Sequence, residues 1–271
     1  MAKVLVVTSG KGGVGKTTST AALGAALAQT GQTVVVVDFD VGLRNLDLVM
    51  GAERRVVFDL VNVIQGAAKL QQALIRDKRL DTLWLLPASQ TRDKDALTAT
   101  GVARVIAELK QKFDWVICDS PAGIERGATL AMRHADSAVI VTNPEVSSVR
   151  DSDRIIGLLD SKTEKAEKGE RIDKHLLISR YDAGRAARGE MLGLEDVLEI
   201  LSIPLIGVVP ESEDVLRASN VGSPVTLCSP ASAAARAYCD AVRRLKGENV
   251  PMTIPTDKKG LMEKLFGRRA A

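Results

Sequence analysis

Near the N-terminus, an apolar run passes directly into a glycine-rich loop: Val4-Leu5-Val6-Val7-Thr8-Ser9-Gly10-Lys11-Gly12-Gly13-Val14-Gly15-Lys16-Thr17-Thr18. The loop follows the phosphate-binding pattern G-x-x-x-x-G-K-[ST], which needs a strand before it and a helix after it. Its glycines let backbone N–H groups turn inward around an anion, and the helix N-terminus adds a positive dipole. In this pattern Lys16 reaches the β- and γ-phosphates and Thr17 ligates Mg²⁺. The alternative is an ordinary glycine-rich turn, which the flanking segments disfavour.

Beyond this loop, apolar runs of strand length alternate with helix-length segments. We predict strands at residues 4–7, 33–37, 83–86, 115–118, 138–141, 176–178 and 205–209, and helices at 16–29, 62–65, 70–75, 102–112, 148–159 and 231–245. Such alternation indicates a single doubly wound, mostly parallel α/β sheet of the P-loop NTPase type, flanked by helices. We expect one domain at residues 1–246, a linker at 247–257 and an amphipathic helix at 258–267.

Composition narrows the class of protein. The 271 residues are 45% hydrophobic and 26% charged, as in ordinary globular proteins. Cys118, Cys228 and Cys239 form no C-x-x-C pair, which argues against a disulfide framework, a zinc site or an iron–sulfur cluster and fits a reducing cytosol. The first apolar run has four residues, too short for a signal peptide, so we expect none. We also expect no membrane span, because no apolar run approaches the roughly 20 residues that one needs.

The net charge of +3 is confined to the C-terminal end. Residues 257–271 carry five basic and two acidic side chains, so the rest of the chain is neutral. A neutral body offers no support for a nucleic-acid-binding surface. We therefore expect no nucleic acid among the partners.

Aspartates follow two of the predicted strands. Asp38 and Asp40 come after the second strand, and Asp119 follows the strand at 115–118. Ligands of open parallel sheets bind at the carboxyl ends of strands. We interpret Asp119 and Asp38 as Mg²⁺ ligands beside Thr17, and Asp40 as the residue that orients the attacking water. Each aspartate could instead be a turn or capping residue.

Lys11 is a second lysine inside the loop and has no role toward the chain's own phosphates. Because Lys16 already serves those phosphates, Lys11 would point toward whatever covers the site. One reading is a solvated side chain. The other is a cation offered to the nucleotide of a second subunit, which can raise a hydrolysis rate by about 10³–10⁵. The second reading makes nucleotide binding and dimer formation interdependent.

The C-terminal segment has the pattern of a membrane-surface helix. Pro251 and Pro255 mark a linker that cannot continue the preceding helix. At about 100° per residue the apolar side chains that follow share one side of a helix, flanked by basic residues that suit anionic lipids; they are Leu261, Met262, Leu265 and Phe266. The alternatives are a short helix packed on the body and a frayed terminus.

The loop with its additional lysine resembles the deviant Walker A loop of the MinD/ParA family of ATPases. The similarity is strongest to the septum-placing branch, and it extends along the chain through Asp38-Phe-Asp-Val-Gly-Leu-Arg-Asn-Leu-Asp47, Leu86-Pro-Ala-Ser-Gln-Thr-Arg-Asp-Lys-Asp-Ala-Leu97, Cys118-Asp-Ser-Pro-Ala-Gly-Ile-Glu125 and Thr142-Asn-Pro-Glu-Val-Ser-Ser-Val-Arg-Asp-Ser-Asp-Arg154. Together these blocks are specific, and departures fall in stretches such as 161–172 and 227–234.

This resemblance implies an ATPase that uses ATP and Mg²⁺, dimerises face to face on ATP and helps to place the division septum. It implies recruitment of a division inhibitor of the MinC type, and a protein of the MinE type that stimulates hydrolysis and release from the membrane. It further implies that Lys11 contacts the partner's nucleotide, that Asp40 aids hydrolysis, and that Arg180, Pro210 and Glu211 line adenine. Partner proteins would dock on the helix that carries Val146, Ser148, Arg150, Asp151 and Asp153. The protein would be cytoplasmic and peripherally bound to the cytoplasmic face of the bacterial inner membrane.

Three other functions share parts of this pattern. A DNA-partition ATPase of the ParA type would have the same loop but needs a basic surface. A cluster-carrying relative would need paired cysteines, whereas Cys118 falls inside a predicted strand. A non-catalytic, nucleotide-gated scaffold would not need Asp40 together with two loop lysines.

Overall fold

The computed structural model of the chain describes residues 2–90 and 96–256. Its strands are β1 Lys3–Thr8, β2 Val34–Asp38, β3 Ile75–Arg76, β4 Leu83–Leu86, β5 Trp115–Asp119, β6 Ser137–Thr142, β7 Asp173–Tyr181 and β8 Leu205–Pro210. Its α-helices are α1 Lys16–Gln29, α2 Leu46–Val49, α3 Leu60–Ile64, α4 Leu70–Ala73, α5 Ala99–Lys110, α6 Arg126–Arg133, α7 Val146–Lys162, α8 Glu164–Glu167, α9 Ala183–Ala187, α10 Leu194–Leu201, α11 Glu213–Asn220, α12 Val225–Cys228 and α13 Ala233–Leu245. The predicted helix at 258–267, with Leu261, Met262, Leu265 and Phe266, lies outside the described residues.

One sheet with the strand order β3-β4-β2-β5-β1-β6-β7-β8 organises the described chain. All neighbouring strands are parallel except β3, which is antiparallel to β4. The predicted mostly parallel, doubly wound α/β fold is therefore confirmed. Within the described ranges no helix combines the length and apolar character that crossing a bilayer requires.

The strands are buried on both faces because their side chains alternate between two apolar layers. In β1, Val4 and Val6 pack with residues of α3, α5 and α6, whereas Leu5 and Val7 pack with α1 and α13. A third cluster joins α7 and α10 to β7 and β8. Helices on both faces of a parallel sheet leave the carboxyl ends of the strands free for a ligand.

Two differences from the sequence prediction have a physical cause. The predicted helix at 70–75 ends at Ala73, and Ile75–Arg76 forms the edge strand β3 instead. This short edge strand pairs with β4, where Ile75 lies opposite Leu85 and Arg76 opposite Trp84. The helices α2, α6, α8, α9, α10, α11 and α12 were not predicted. Four of them, α2, α8, α9 and α12, have at most five residues, and helices this short depend on packing against neighbours rather than on local sequence.

Candidate active site

The glycine-rich loop joins β1 to α1 and presents the start of that helix. Gly13 and Gly15 have φ values of 79° and 88°, a left-handed conformation that glycine adopts without steric cost. Helix α1 begins at Lys16, and among the described residues no side chain caps its first turn and no acidic residue lies within it. The first N–H groups of the helix thus lack a side-chain acceptor. This arrangement fits the phosphates of a nucleotide.

Neighbouring elements hold the loop in place. The Ser179 hydroxyl at the end of β7 donates to the Val14 carbonyl over 2.6 Å. Gly10 packs against the backbone of α7, where an added Cβ would lie 2.2 Å from the carbonyl carbon of Asp151. Only glycine permits this approach, so the loop and α7 are in direct backbone contact.

Asp119 lies at the end of β5 beside the start of α1. The Thr20 hydroxyl donates to its Oδ1 over 2.8 Å, and the side chain of Thr17 bonds to it as well. Burial raises the pKa of this carboxyl; the charge of Lys16 and the two threonine hydroxyls oppose the shift, while Asp40 adds to it. A buried carboxylate between a lysine and a threonine of the loop is suited to hold a cation.

Asp38 ends β2 and lies opposite Asp119 in the sheet register. It accepts hydrogen bonds from the backbone N–H groups of Asp40 at 2.9 Å and Leu46 at 3.2 Å. Burial is the main reason that its pKa lies well above the usual range, and the negative charge of Asp119 raises it further. Two buried carboxylates on adjacent strands are stabilised when a cation lies between or beside them.

These side chains fit Mg²⁺, which prefers oxygen ligands and takes one or two carboxylates together with phosphate oxygens and water. Within residues 2–90 and 96–256 no three carboxylate, imidazole or thiol groups form a complete ligand set. Asp38, Asp119 and the Thr17 hydroxyl would therefore supply only part of the shell. When bound, the ion neutralises charge on the β- and γ-phosphates. Asp40 begins the loop after β2, close enough that its charge raises the pKa of both other aspartates.

The Lys11 side chain contacts the N-terminus of α7. Its Nζ is 3.2 Å from Oε2 of Glu145 and 3.0 Å from the hydroxyl of Ser147, and its side chain is 42% exposed. Both partners lie at the N-terminus of α7. The loop lysine thus forms an ion pair with the start of α7. The sequence did not predict this contact because Lys11 and Glu145 are 134 residues apart.

A cavity of about 440 Å³ opens beside the loop and brings Arg180, Pro210 and Glu211 together with Gly15 and Thr18. Arg180 adopts φ = 52°, a strained conformation for a residue other than glycine. Other lining residues were missed by the sequence analysis: Ser179, Val215, Leu216, Ser219 and Tyr238. Three of these residues lie on α11, which was not predicted although Ser212 before two acidic residues is a helix-start signal. Tyr238 is an aromatic residue in the alanine-rich α13, and this contrast could also have indicated it.

Two larger cavities, of about 710 and 650 Å³, lie elsewhere. Neither contains a residue of the loop or any of the three aspartates, so size alone would misplace the site. The cavity that adjoins the phosphate loop is the one of about 440 Å³.

The predicted docking residues on α7 divide into two groups. Val146 is 53% exposed, Arg150 and Asp153 are exposed, and Asp151 is half-buried. Ser148 is 1% exposed and faces the interior, and its role in docking stays a prediction. The helical period turns its side chain inward beside Val149.

Comparison with known proteins agrees with this geometry. Residues 5–225 match the family described as CobQ/CobB/MinD/ParA nucleotide binding domain. The chain is 62% identical over 270 residues to the septum site-determining protein MinD of Escherichia coli K12, covering 98% of this chain and all of that protein. The MinC:MinD complex of Aquifex aeolicus superposes with a TM-score of 0.83 at 42% identity, covering 93% of this chain and 99% of that one. MinD of Pyrococcus horikoshii with Mg-ADP gives 0.80 at 31% identity, covering 90% and 96%.

The parallel sheet, the phosphate loop at α1 and the carboxylates on neighbouring strands define a P-loop nucleotide-binding protein. At the level of identity given above, the chain belongs to the MinD family of septum site-determining ATPases. It is therefore an ATPase with a role in placing the site of cell division.

Proposed function

We propose that ATP assembles this chain into a face-to-face dimer, in which each Lys11 contacts the nucleotide of the other subunit. One observation carries the proposal: the ammonium group of Lys11 is held by an exposed ion pair with Glu145 at the start of α7, although Lys11 belongs to the phosphate loop. Exposed pairs of this kind contribute only about 0–1 kcal/mol, so a triphosphate on a second subunit can compete for the lysine. Dimerisation and ATP binding then depend on one another.

Within each subunit, ATP and Mg²⁺ are the expected cofactors, and the chain's own residues divide the work. Lys16 binds the terminal phosphates. Thr17, Asp38 and Asp119 hold the cation, and Asp40 orients water for attack on the γ-phosphate. The cavity at Arg180, Pro210 and Glu211 receives the adenine base.

The exposed face of α7 is the proposed docking surface for partner proteins. In Aquifex aeolicus, MinD forms a complex with MinC. For this chain we expect an inhibitor of the MinC type and a stimulator of the MinE type to contact Val146, Arg150, Asp151 and Asp153. Asp151 also packs on Gly10, so binding at this face can alter the phosphate loop directly.

Membrane attachment is proposed to use the segment 258–267. Burying four apolar side chains is worth at most roughly 6–12 kcal/mol, and ordering a segment of this length consumes a comparable amount. One copy therefore binds weakly, whereas two copies on a dimer bind together through their effective concentration. On this basis ATP would place the protein on anionic lipids at the cytoplasmic face of the inner membrane.

The test is sedimentation of the full-length chain with anionic vesicles in ATP and in ADP. We expect strong co-sedimentation in ATP and little in ADP, and a Lys11→Ala variant that neither dimerises nor sediments. Lys112→Ala is the matched control, because Lys112 forms an ion pair of similar exposure with Glu108 far from the site. Equal sedimentation in both nucleotides, ATP-dependent binding to DNA instead, or dimerisation of Lys11→Ala would each overturn the proposal.

A further inference from the structure

Arg79 joins two segments that each lead to a different part of the proposed nucleotide site. Its Nη2 donates to the carbonyl oxygen of Met50 over 2.8 Å, and its Nη1 donates to the carbonyl oxygen of Gly222 over 2.9 Å. Met50 directly follows α2, and Gly222 lies two residues after the end of α11. A single guanidinium thus bridges main-chain groups that lie far apart in sequence.

The guanidinium is itself held in place by Asp77. Two of its nitrogens contact the two carboxylate oxygens, Nε to Oδ1 at 3.1 Å and Nη2 to Oδ2 at 2.6 Å. The Asp77 carboxylate is buried and also accepts the backbone N–H groups of Arg79 and Leu80. A carboxylate fixed by a turn and bound in a bidentate manner orients the arginine fork with little freedom.

The two bridged segments also touch through their backbones. An added Cβ at Gly51 would lie 2.5 Å from the carbonyl oxygen of Gly222, and one at Gly222 would lie 2.7 Å from Cα of Gly51. Both glycines have positive φ values, of 64° and 65°. The contact leaves no room for side chains at Gly51 or Gly222. Because the two backbones touch, a movement of the segment after α2 also moves the segment after α11.

Each segment serves a different part of the site. The first residue of α2, Leu46, donates its N–H to Asp38, one of the proposed cation ligands. Helix α11 supplies Val215, Leu216 and Ser219 to the cavity proposed for the base. The Arg79 bridge therefore connects the helix that orients Asp38 to the helix that lines the base cavity.

We propose that Arg79 is a positioning residue that couples occupation of the base cavity to cation binding at Asp38. A base that settles against α11 fixes that helix, and the bridge then fixes α2 and the N–H group that orients the carboxylate. By reciprocity, the cation favours the base to the same extent. The inference rests on the base cavity of the proposed function.

The test compares ATP with inorganic triphosphate, which has no base, in binding to the full-length chain. For each ligand, the Mg²⁺ concentration that gives half-maximal binding is measured by calorimetry and divided by the Mg²⁺ dissociation constant of that ligand free in solution, and the two ligands are compared on this scale. In the unaltered protein we expect ATP to need about 10-fold less Mg²⁺ than triphosphate, within the usual range of coupling between sites. In Arg79→Ala this ratio falls to near one, and in Arg79→Lys it is intermediate, since an ammonium lacks the planar fork.

Arg76→Ala is the matched control. Arg76 is an exposed arginine three residues earlier that bonds to Asp81 and to neither bridged segment. In Arg76→Ala, the ratio between the Mg²⁺ midpoints for triphosphate and for ATP should match that of the unaltered protein. Asp77→Asn is the second variant, which keeps the arginine but removes its bidentate partner, and its ratio should fall as well.

Three outcomes decide the matter. A ratio near one in Arg79→Ala and a retained ratio in Arg76→Ala support the bridge. A retained ratio in Arg79→Ala, accompanied only by a lower melting temperature, means that Arg79 merely stabilises the fold and overturns the inference, while the base cavity stands. A ratio near one already in the unaltered protein overturns the inference, and if ATP also binds no more tightly than triphosphate at saturating Mg²⁺, the base cavity is overturned as well.

Discussion

Nζ of Lys11 lies 3.2 Å from Oε2 of Glu145. The lysine belongs to the phosphate loop and the glutamate to the N-terminus of the helix proposed for partner docking. In the single chain, this ion pair holds the Lys11 ammonium group. In the proposed dimer, the same group contacts the nucleotide of the other subunit. Releasing Lys11 requires breaking a weak exposed ion pair and the bond to the Ser147 hydroxyl at 3.0 Å.

Glu145→Ala should make dimerisation easier. An exposed ion pair is worth up to about 1 kcal/mol, so the ATP concentration for half-maximal dimerisation should fall by up to about five-fold. Sedimentation velocity across an ATP titration measures this. Glu108→Ala, which breaks the remote pair with Lys112, should leave the midpoint unchanged. An unchanged or raised midpoint in Glu145→Ala would show that the pair does not restrain Lys11.

Gly10→Ala should impair ATP binding while the fold persists. The added methyl would lie 2.2 Å from the backbone of Asp151, which forces the loop away from α7. Displacing a binding loop by about 1 Å can cost on the order of 100-fold. Equilibrium binding of a fluorescent ATP analogue measures the loss. Gly157→Ala in α7 is the control, since its methyl meets nothing within 4 Å and should be tolerated; normal ATP binding by Gly10→Ala would contradict the packing argument.

The two buried aspartates should make stability depend on pH in opposite ways with and without magnesium nucleotide. Because their pKa values are raised in the folded chain, the metal-free native state binds more protons than the unfolded state. Its free energy of unfolding should fall as the pH rises from about 4 through the raised pKa values. The stabilisation by Mg-ADP should grow across the same interval, since the carboxylates bind the ion only when deprotonated.

Melting temperatures recorded between about pH 4 and about pH 8 check both trends. Asp38→Asn removes one of the titrating groups and should flatten the metal-free curve. If this variant kept the slope of the unaltered protein, Asp38 would not be the residue responsible.

Tyr238→Phe should destabilise the fold through Ser19. The two hydroxyls are 3.0 Å apart in a buried contact between α13 and α1, and burial raises the pKa of Tyr238 to about 12. Removing the Tyr238 hydroxyl leaves the Ser19 hydroxyl buried without its partner, which lowers the free energy of unfolding by about 1–3 kcal/mol. Urea unfolding measures this. The double variant Ser19→Ala/Tyr238→Phe should lose less stability than the sum of the losses in the two single variants. If the losses simply add, the two hydroxyls are not directly bonded.

Much of the fold could be predicted because it depends on short-range pattern. Helix α1 at Lys16–Gln29 and strand β4 at Leu83–Leu86 occur where periodicity and boundary residues put them. The loop and the aspartates at strand ends also follow from local rules about phosphate loops and parallel sheets. Strand β3 escaped prediction because two residues carry no period, and only the open edge of β4 makes them a strand.

The sequence by itself determined the phosphate loop, the apolar strands and the aspartates at the ends of β2 and β5, since each of these features depends only on residues that are adjacent in the chain. Only the tertiary structure decided what these groups contact. Strand order brings β2, β5 and β1 side by side and so joins Asp38, Asp119 and the loop. The Lys11–Glu145 pair, the inward-facing Ser148 and the Arg79 bridge depend on which elements pack together. Such long-range contacts are set by the sum of core packing over the whole sheet, which no local pattern encodes.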